Sequence, residues 1–376
     1  MKLNFENGTR KLISEVDMES IKKHNEIIVF GAGESGSYLV SILRLYGVEP
    51  SCYCDNAVSK QGRDKDGLKI FSLEEALKRH PTACFCIASL WADEIKQQIK
   101  ELYPGLGNQV YDILGLMVWE LKNKTVVSME YEYISKNMKE FEALSGLFKD
   151  KQSNETLENI LNYRVSRDKK YLVAACLNEE EYFDRDIIPD GIFVMSGLLI
   201  DAGAFDGDTI KQLVKIHPEN TLSCVCYEPD KDNIARLKNN LNKISTFEVI
   251  TKCAGLYDKY SSNALLEGGS LGGRVDDTLG GNVQLEMLDD LNDERPIRMI
   301  KMDIEGAEQR ALRGGEHRII KDRPILAICA YHQQNDLIEI SNFMRGLIDY
   351  SVYLRHYMVA ASETIMYAVP NELVDY

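Results

Sequence analysis

Three acids stand where apolar runs stop. Leu198-Leu199-Ile200 ends in Asp201, and Ala202-Gly203-Ala204-Phe205-Asp206-Gly207-Asp208 follows before a helical pattern starts at Thr209 (Ile210, Leu213, Val214). The run 222–227 ends in Glu228-Pro229, and the run 297–302 delivers Asp303. Each run reads as a buried parallel strand feeding a loop and a crossover helix. Carboxyl ends of parallel strands lie along one edge of a sheet, so the three acids are expected to face one crevice. Gly203 and Gly207 let backbone approach a ligand closely, with helix amides pointing at it. Asp201, Asp206 and Asp208 argue against a phosphate there and suit a ligand with cationic groups. S-adenosylmethionine (SAM), with its ammonium and sulfonium, is such a ligand. Glu228 sits where two carboxylate oxygens can accept both hydroxyls of a ribose.

The elements that must position these residues follow from apolar periodicity. Residues 1–25 read as a lead-in helix. Glu26–Phe30 is a strand, followed by Gly31-Ala32-Gly33-Glu34-Ser35-Gly36 and a helix, which is G-x-G-x-x-G in its strand–turn–helix setting. Gly31, Gly33 and Gly36 form a candidate nucleotide site with Asp55, which ends the strand 50–54 where a ribose-binding acid is expected. Further alternation to 118 makes 26–118 a small Rossmann-like α/β domain. It is short for two mononucleotide halves, and tight strand–helix packing is the preferred use of its glycines. Residues 119–195 read as a helical connector or cap. From 196 to 376 the strands 198–202, 222–227, 246–250, 297–302, 324–330, 351–357 and 364–369 make a seven-stranded doubly wound sheet, the last two antiparallel. Residues 261–282, with six glycines between Gly268 and Gly281, read as a mobile loop.

Composition narrows the function classes. With 44 basic and 59 acidic residues in 376, the net charge of −15 speaks against a nucleic-acid or anionic-membrane binder. No apolar run reaches the ~20 residues of a membrane helix, and the first residues hold no signal-peptide core. The expected setting is cytoplasmic, and oligomeric state, a homo-oligomer included, is left open. Six of nine cysteines fall in the pairs Cys52/Cys54, Cys84/Cys86 and Cys224/Cys226. Alternate residues share one strand face, so these read as buried apolar faces rather than a zinc site.

The run Asp201–Asp208, then Glu228-Pro229, Leu288-Asp289, Lys301-Met302-Asp303-Ile304-Glu305-Gly306-Ala307-Glu308 and Arg313-Gly314-Gly315, resembles the FkbM-type SAM-dependent methyltransferases. Tyr331 to Leu337, Leu354 to Tyr357, Glu363-Thr364 and Tyr182-Phe183-Asp184 carry the resemblance further, over roughly 160–370. It implies a class I methyltransferase sheet, SAM as donor, and O-methylation of a sugar, glycan or polyketide hydroxyl. The expected cofactor residues are Asp201, Gly203, Ala204, Asp206, Gly207, Asp208, Glu228, Pro229, Cys253, Ala254 and Asp303.

Methyl transfer is an in-line displacement, in which positioning supplies ~7–11 kcal/mol of the barrier. A sugar hydroxyl is a poor nucleophile and calls for a general base. His332, beside Tyr331, is the first candidate, with an ordinary pKa of ~6.5. Asp303 is the second, unless it holds the SAM ammonium, and Lys301 orients either. Glu305 and Glu308 read as complements to a helix dipole. Arg355 and His356 either contact substrate or offset the excess acid. No metal is assigned, although Mg²⁺ on Asp303 and another acid is a minor alternative. The N-terminal part is similar to a small nucleotide-sugar-type domain (Asp55-Asn56, Lys60-Gln61-Gly62). That makes a nucleotide-linked sugar one acceptor class beside other small molecules and glycans. The rival reading is an NAD(P)-dependent oxidoreductase, or a nucleotide-sugar-binding module, using Gly31–Gly36.

Overall fold

The computed structural model describes residues 18–374 except 90, 107–109, 113–123, 167, 243–246 and 268–272. Most of the expected lead-in helix lies outside the described residues; 18–21 are helical. The chain divides into two compact units. One is Asn4–Glu132 with Arg164–Arg167, and the other comprises Met1–Leu3, Tyr133–Tyr163 and Asp168–Tyr376.

In the first unit, β1 (Ile27–Phe30), β2 (Cys52–Cys54), β3 (Asp64–Lys65), β4 (Leu68–Phe71), β5 (Cys84–Ile87) and β6 (Val110–Asp112) form a sheet in the order β3-β4-β2-β1-β5-β6. All neighbours pair in parallel except β3 and β4, a small hairpin that the sequence pattern did not disclose. Alternate residues of β1 bury towards opposite faces. Ile27 and Val29 join one apolar cluster with the helix Glu34–Leu45, while Ile28 and Phe30 join another with Leu73–Arg79 and Ala92–Leu102. β1 lies between β2 and β5, so the pairs Cys52/Cys54 and Cys84/Cys86 sit on strands that are not neighbours. Burial pushes the Cys52 thiol up to about 12, as expected of an inert core cysteine.

The second unit contains β7 (Leu198–Ala202), β8 (Ser223–Tyr227), β9 (Val249–Lys252), β10 (Gly255–Leu256), β11 (Ser261–Glu267), β12 (Arg274–Gly280), β13 (Val283–Glu286), β14 (Ile297–Met302), β15 (Ile325–Cys329), β16 (Tyr350–His356) and β17 (Thr364–Pro370). Seven of these form one sheet in the order β16-β17-β15-β14-β7-β8-β9. It is parallel except for β17, which runs antiparallel to both neighbours. Strand order reverses between β7 and β14, the point at which open α/β sheets place their ligands. One face buries Leu199, Cys224, Cys226, Met299, Ala327, Cys329 and Tyr367 with Phe183, Phe193, Leu213 and Leu237.

The glycine-rich stretch is not a loop throughout. β11 and β12 pair antiparallel, and with β10 and β13 they form a separate four-stranded sheet. Most of its glycines fall between the strands. Gly268, Gly269 and Gly272 lie outside the described residues, while Gly280 only ends β12 and Gly281 follows it.

The stretch 119–195 is helical over Lys124–Lys136, Met138–Leu144, Lys151–Ser166 and Lys169–Ala175, and its parts Tyr133–Tyr163 and from Asp168 onward belong to the second unit. Within that unit, Arg355 of β16 fixes the start of the helix Lys151–Ser166. Only 2 % exposed, it holds Asp150 at 2.5 Å and Ser153 at 2.8 Å, with Asp184 at 3.7 Å. His356, fully buried, bonds Thr364 at 2.9 Å, and burial lowers its pKa to about 4. Both residues therefore serve the fold and do not reach a substrate. Arg355→Met leaves Asp150 and the fully buried Asp184 without their cation. Asp150 keeps some contact with water, so the expected loss is about 3 kcal/mol, the low end for a broken buried pair, read by urea denaturation.

Candidate active site

β7 delivers its chain to the switch point through three residues with positive φ, Gly203 (+79°), Phe205 (+43°) and Gly207 (+87°). The amides of Gly203 and Ala204 both donate to Tyr227 O at 3.0 Å, and Asp303 N donates to Ala202 O at 3.0 Å. This locks the ends of β7, β8 and β14 together. A Cβ on Gly203 would lie 1.8 Å from the carbonyl oxygen of Asp303, so no other residue fits. Gly203→Ala is expected to cost about 3 kcal/mol, the upper end for point substitutions, and to displace Asp303. Urea denaturation reads the first effect, and ligand titration reads the second.

Register sets Asp201 opposite Lys301 on neighbouring parallel strands. Their charges meet at 3.1 Å with exposures of 0 % and 2 %. The contact is ionic, since neither Asp201 oxygen has a hydrogen bond in line. Lys301 Nζ instead donates to Gly203 O at 2.8 Å and lies 5.2 Å over the Tyr182 ring. Burial works against the Lys301 charge, but Asp201 and Asp303 prevail and raise its pKa. Burial pushes Asp201 upward.

Glu228, just past β8, is 6 % exposed. Its Oε2 accepts from Phe205 N–H at 3.0 Å, and its Oε1 from Asp230 N–H at 2.9 Å and Asn233 Nδ2 at 3.3 Å. These bonds aim the carboxylate while burial pushes its pKa up.

A cavity of about 320 Å³ opens along this edge. Of the expected cofactor residues, Gly203, Asp208, Glu228, Pro229 and Asp303 line it, as does Lys301. Asp201, Ala204, Asp206, Gly207, Cys253 and Ala254 do not. Asp201 and Ala204 are fully buried and Ala254 nearly so. Asp206 turns to Lys211 at 3.3 Å and to Asn240. The exposed Cys253 thiol faces Pro229 O at 3.9 Å. Gly207 caps the helix Asp208–Ile216 in a left-handed conformation and supports the turn from behind.

Other lining residues were not named as site residues from the sequence, although Tyr182 and Glu363 stand in motifs that carry the resemblance. Glu181 and Tyr182 come from the segment before β7, Glu363 from the turn before β17, and Leu266 and Val275 from the β11–β12 hairpin. Burial and the neighbouring Glu181 carboxylate push Glu363 up to about 9.

Asp303 accepts hydrogen bonds from Tyr182 OH and Tyr331 OH, each at 3.2 Å. His332 does not line the cavity. Its Nε2 lies 3.4 Å from Asp303 and 3.5 Å from Glu305, and its Nδ1 lies 3.0 Å from Glu308. Burial disfavours a charged ring, yet Glu308, Asp303 and Glu305 outweigh it and raise the pKa to about 9. An imidazolium has no lone pair to take a proton, which counts against His332 as the general base.

In the first unit, a depression of about 540 Å³ is lined by Gly31, Gly33, Asp55, Asn56, Lys60 and Trp91, among others. A Cβ on Gly31 would meet Ala88 O at 2.5 Å, and one on Gly36 would meet Gly31 O at 2.0 Å, so these two glycines serve packing. Of these three glycines, Gly33 faces open space. Asp55 accepts from Ala32 N–H, Ala57 N–H and Lys60 Nζ, all at 2.8 Å, so it ties its own loop to the glycine loop after β1.

Residues 201–355 match the family described as Methyltransferase FkbM domain. The matched stretch lies within the second unit. No curated protein sequence matches the chain. Among solved structures, a methyltransferase FkbM from Methylobacillus flagellatus KT is similar at 22 % identity, covering 94 % of this chain and 92 % of that one with a TM-score of 0.67. That likeness shows the fold. An rRNA methylase from Streptococcus thermophilus shares 12 % identity over 48 % of this chain and 89 % of its own, with a TM-score of 0.31. A UDP-D-quinovosamine 4-dehydrogenase from Vibrio fischeri shares 24 % over 23 % of this chain and 75 % of its own, with a TM-score of 0.20. Scores that low carry no argument. The matched stretch runs from Asp201 in β7 to Arg355 in β16.

Proposed function

We propose that the FkbM domain transfers a methyl group from SAM to a hydroxyl of a sugar, glycan or related acceptor. The observation that carries this reading is the charge of the cavity. Asp208, Glu228, Asp303, Glu305 and Glu181 line it, while its basic lining residue Lys301 has its charge met by Asp201. Such a wall suits a ligand bearing an ammonium and a sulfonium. When bound, SAM supplies an electrophilic methyl on cationic sulfur. Glu228 would hold the ribose hydroxyls, since a carboxylate oxygen with one bond from N–H keeps a lone pair for another donor. Leu256, Leu266, Val275 and Ile304 give an apolar wall suited to a purine face.

Asp303 is the residue on the cavity wall that takes the acceptor's proton. Tyr182 and Tyr331 hold its carboxylate in place, and Lys301 fixes the turn beside it through Gly203 O. The net charge of −15 disfavours a nucleic-acid acceptor, and among the described residues no helix is long and apolar enough to cross a membrane. A nicotinamide-dependent reading is weakened by Gly31 and Gly36, where an added Cβ would meet the backbone oxygens of Ala88 and Gly31, so both glycines answer to packing. The direct test is mass-spectrometric analysis of the protein with SAM and a panel of glycosides and nucleotide-linked sugars. S-adenosylhomocysteine with a methylated acceptor is expected. An N-methylated product, or oxidised acceptor with NAD⁺ alone, would refute the hydroxyl assignment.

A further inference from the structure

The Lys301–Glu308 run brings together more acid than methyl transfer uses. Asp303 and Glu305 stand at the cavity wall, and Glu308 lies behind them at 0 % exposure. Asp336, also 0 % exposed, adds a carboxylate whose bonds go to Gln333 N–H and Gln309. The cations facing this group are His332 and Arg274, the latter acting on Glu305. Buried carboxylates in such excess over cations are costly unless a further cation is held among them.

The side-chain geometry adds an independent sign. Glu308 Oε1 accepts Ile304 N–H at 2.8 Å, but its Oε2 is buried with no hydrogen-bond partner. His332 Nδ1, on a side chain 9 % exposed, lies 3.0 Å from Glu308 yet off the line of a hydrogen bond. Donor atoms of Asp303, Glu308 and His332 all fall within 4.8 Å of one another. Ligands bonded to one ion at ~2.0–2.2 Å are up to ~4.4 Å apart, so small rotations close the set.

We infer that Asp303, Glu308 and His332 bind a single divalent first-row transition-metal cation, the class that a mixed imidazole and carboxylate set selects. The ion takes the unpartnered lone pair of Glu308 and the ring nitrogen in place of a proton. Since Asp303 also lines the cavity, the ion stands at its wall, where a bound hydroxyl would be acidified. The site rests on the excess of buried acid and on the ligand geometry, and it stands whether or not SAM is the methyl donor.

The test uses the full chain, stripped with a chelator and titrated with Mn²⁺ under electron paramagnetic resonance. One tightly bound ion with imidazole-nitrogen coupling is expected. His332→Gln should abolish that coupling and, like Glu308→Gln, weaken binding by at least about tenfold, judged against the loss seen when outer-shell partners are removed. Circular dichroism confirms that both variants fold; if either does not, nitrogen coupling in the unaltered chain decides. Mn²⁺ that stays free, binds without nitrogen coupling, or binds both variants as tightly as the unaltered chain would overturn the site and leave His332 as an ion-paired imidazolium only.

Discussion

Asp303→Asn is expected to lower kcat for methyl transfer by about 10²–10⁴-fold, the range associated with a positioned general base. SAM binding should survive, because Glu228 and the Gly203 turn are untouched. The substitution is nearly isosteric. One side-chain oxygen can still accept from Tyr182 or Tyr331, which now reach the carboxylate at 3.2 Å. Steady-state kinetics with SAM saturating separates the cases. A fall in kcat with little change in KM for SAM supports proton transfer at Asp303. A large rise in KM for SAM with kcat preserved would instead make Asp303 a donor-binding residue.

Lys301→Met is expected to destabilise the second unit by about 3–5 kcal/mol, since it strands Asp201 without a cation. Both groups are almost wholly removed from solvent, at 2 % and 0 % exposure, so little screening softens the loss. Sequence register makes the pair: Asp201 and Lys301 are direct neighbours on β7 and β14, with their charges 3.1 Å apart. The double variant Asp201→Leu/Lys301→Met should recover most of the stability, because a buried ion pair exchanges for apolar groups at small net change. It should not recover activity, because the bond from Lys301 to Gly203 O is still gone. Urea denaturation of the single and double variants measures the coupling. A single variant losing under about 1 kcal/mol would show that water or another group compensates Asp201.

The seven-stranded sheet was legible because most of its strands are buried on both faces and therefore stand out as short, mainly apolar runs. Leu198–Ile200 is such a run, Ile297–Met302 is one broken only by Arg298 and Lys301, and their closing acids mark the carboxyl edge. The β11–β12 hairpin was obscured because glycines cluster between its strands and half its residues face solvent, which leaves no continuous apolar signal. His332 was legible as a residue at a strand end. Its chemistry was not, because that depends on Asp303, Glu305 and Glu308 converging on the ring from another strand. Glu181 and Glu363 sit 182 positions apart in irregular segments and meet at the cavity only through the fold. The G-x-G-x-x-G run shows the converse. Its spacing suggests a dinucleotide, yet Gly31 and Gly36 answer to Ala88 O and Gly31 O within the protein.

The most direct test of the account is calorimetric titration of the full chain with SAM, S-adenosylhomocysteine and NAD⁺, repeated on Glu228→Ala. The account predicts one-to-one binding of SAM and S-adenosylhomocysteine that disappears in the variant, with no heat from NAD⁺. Heat from NAD⁺ with SAM silent would contradict it and return the chemistry to Gly31–Gly36.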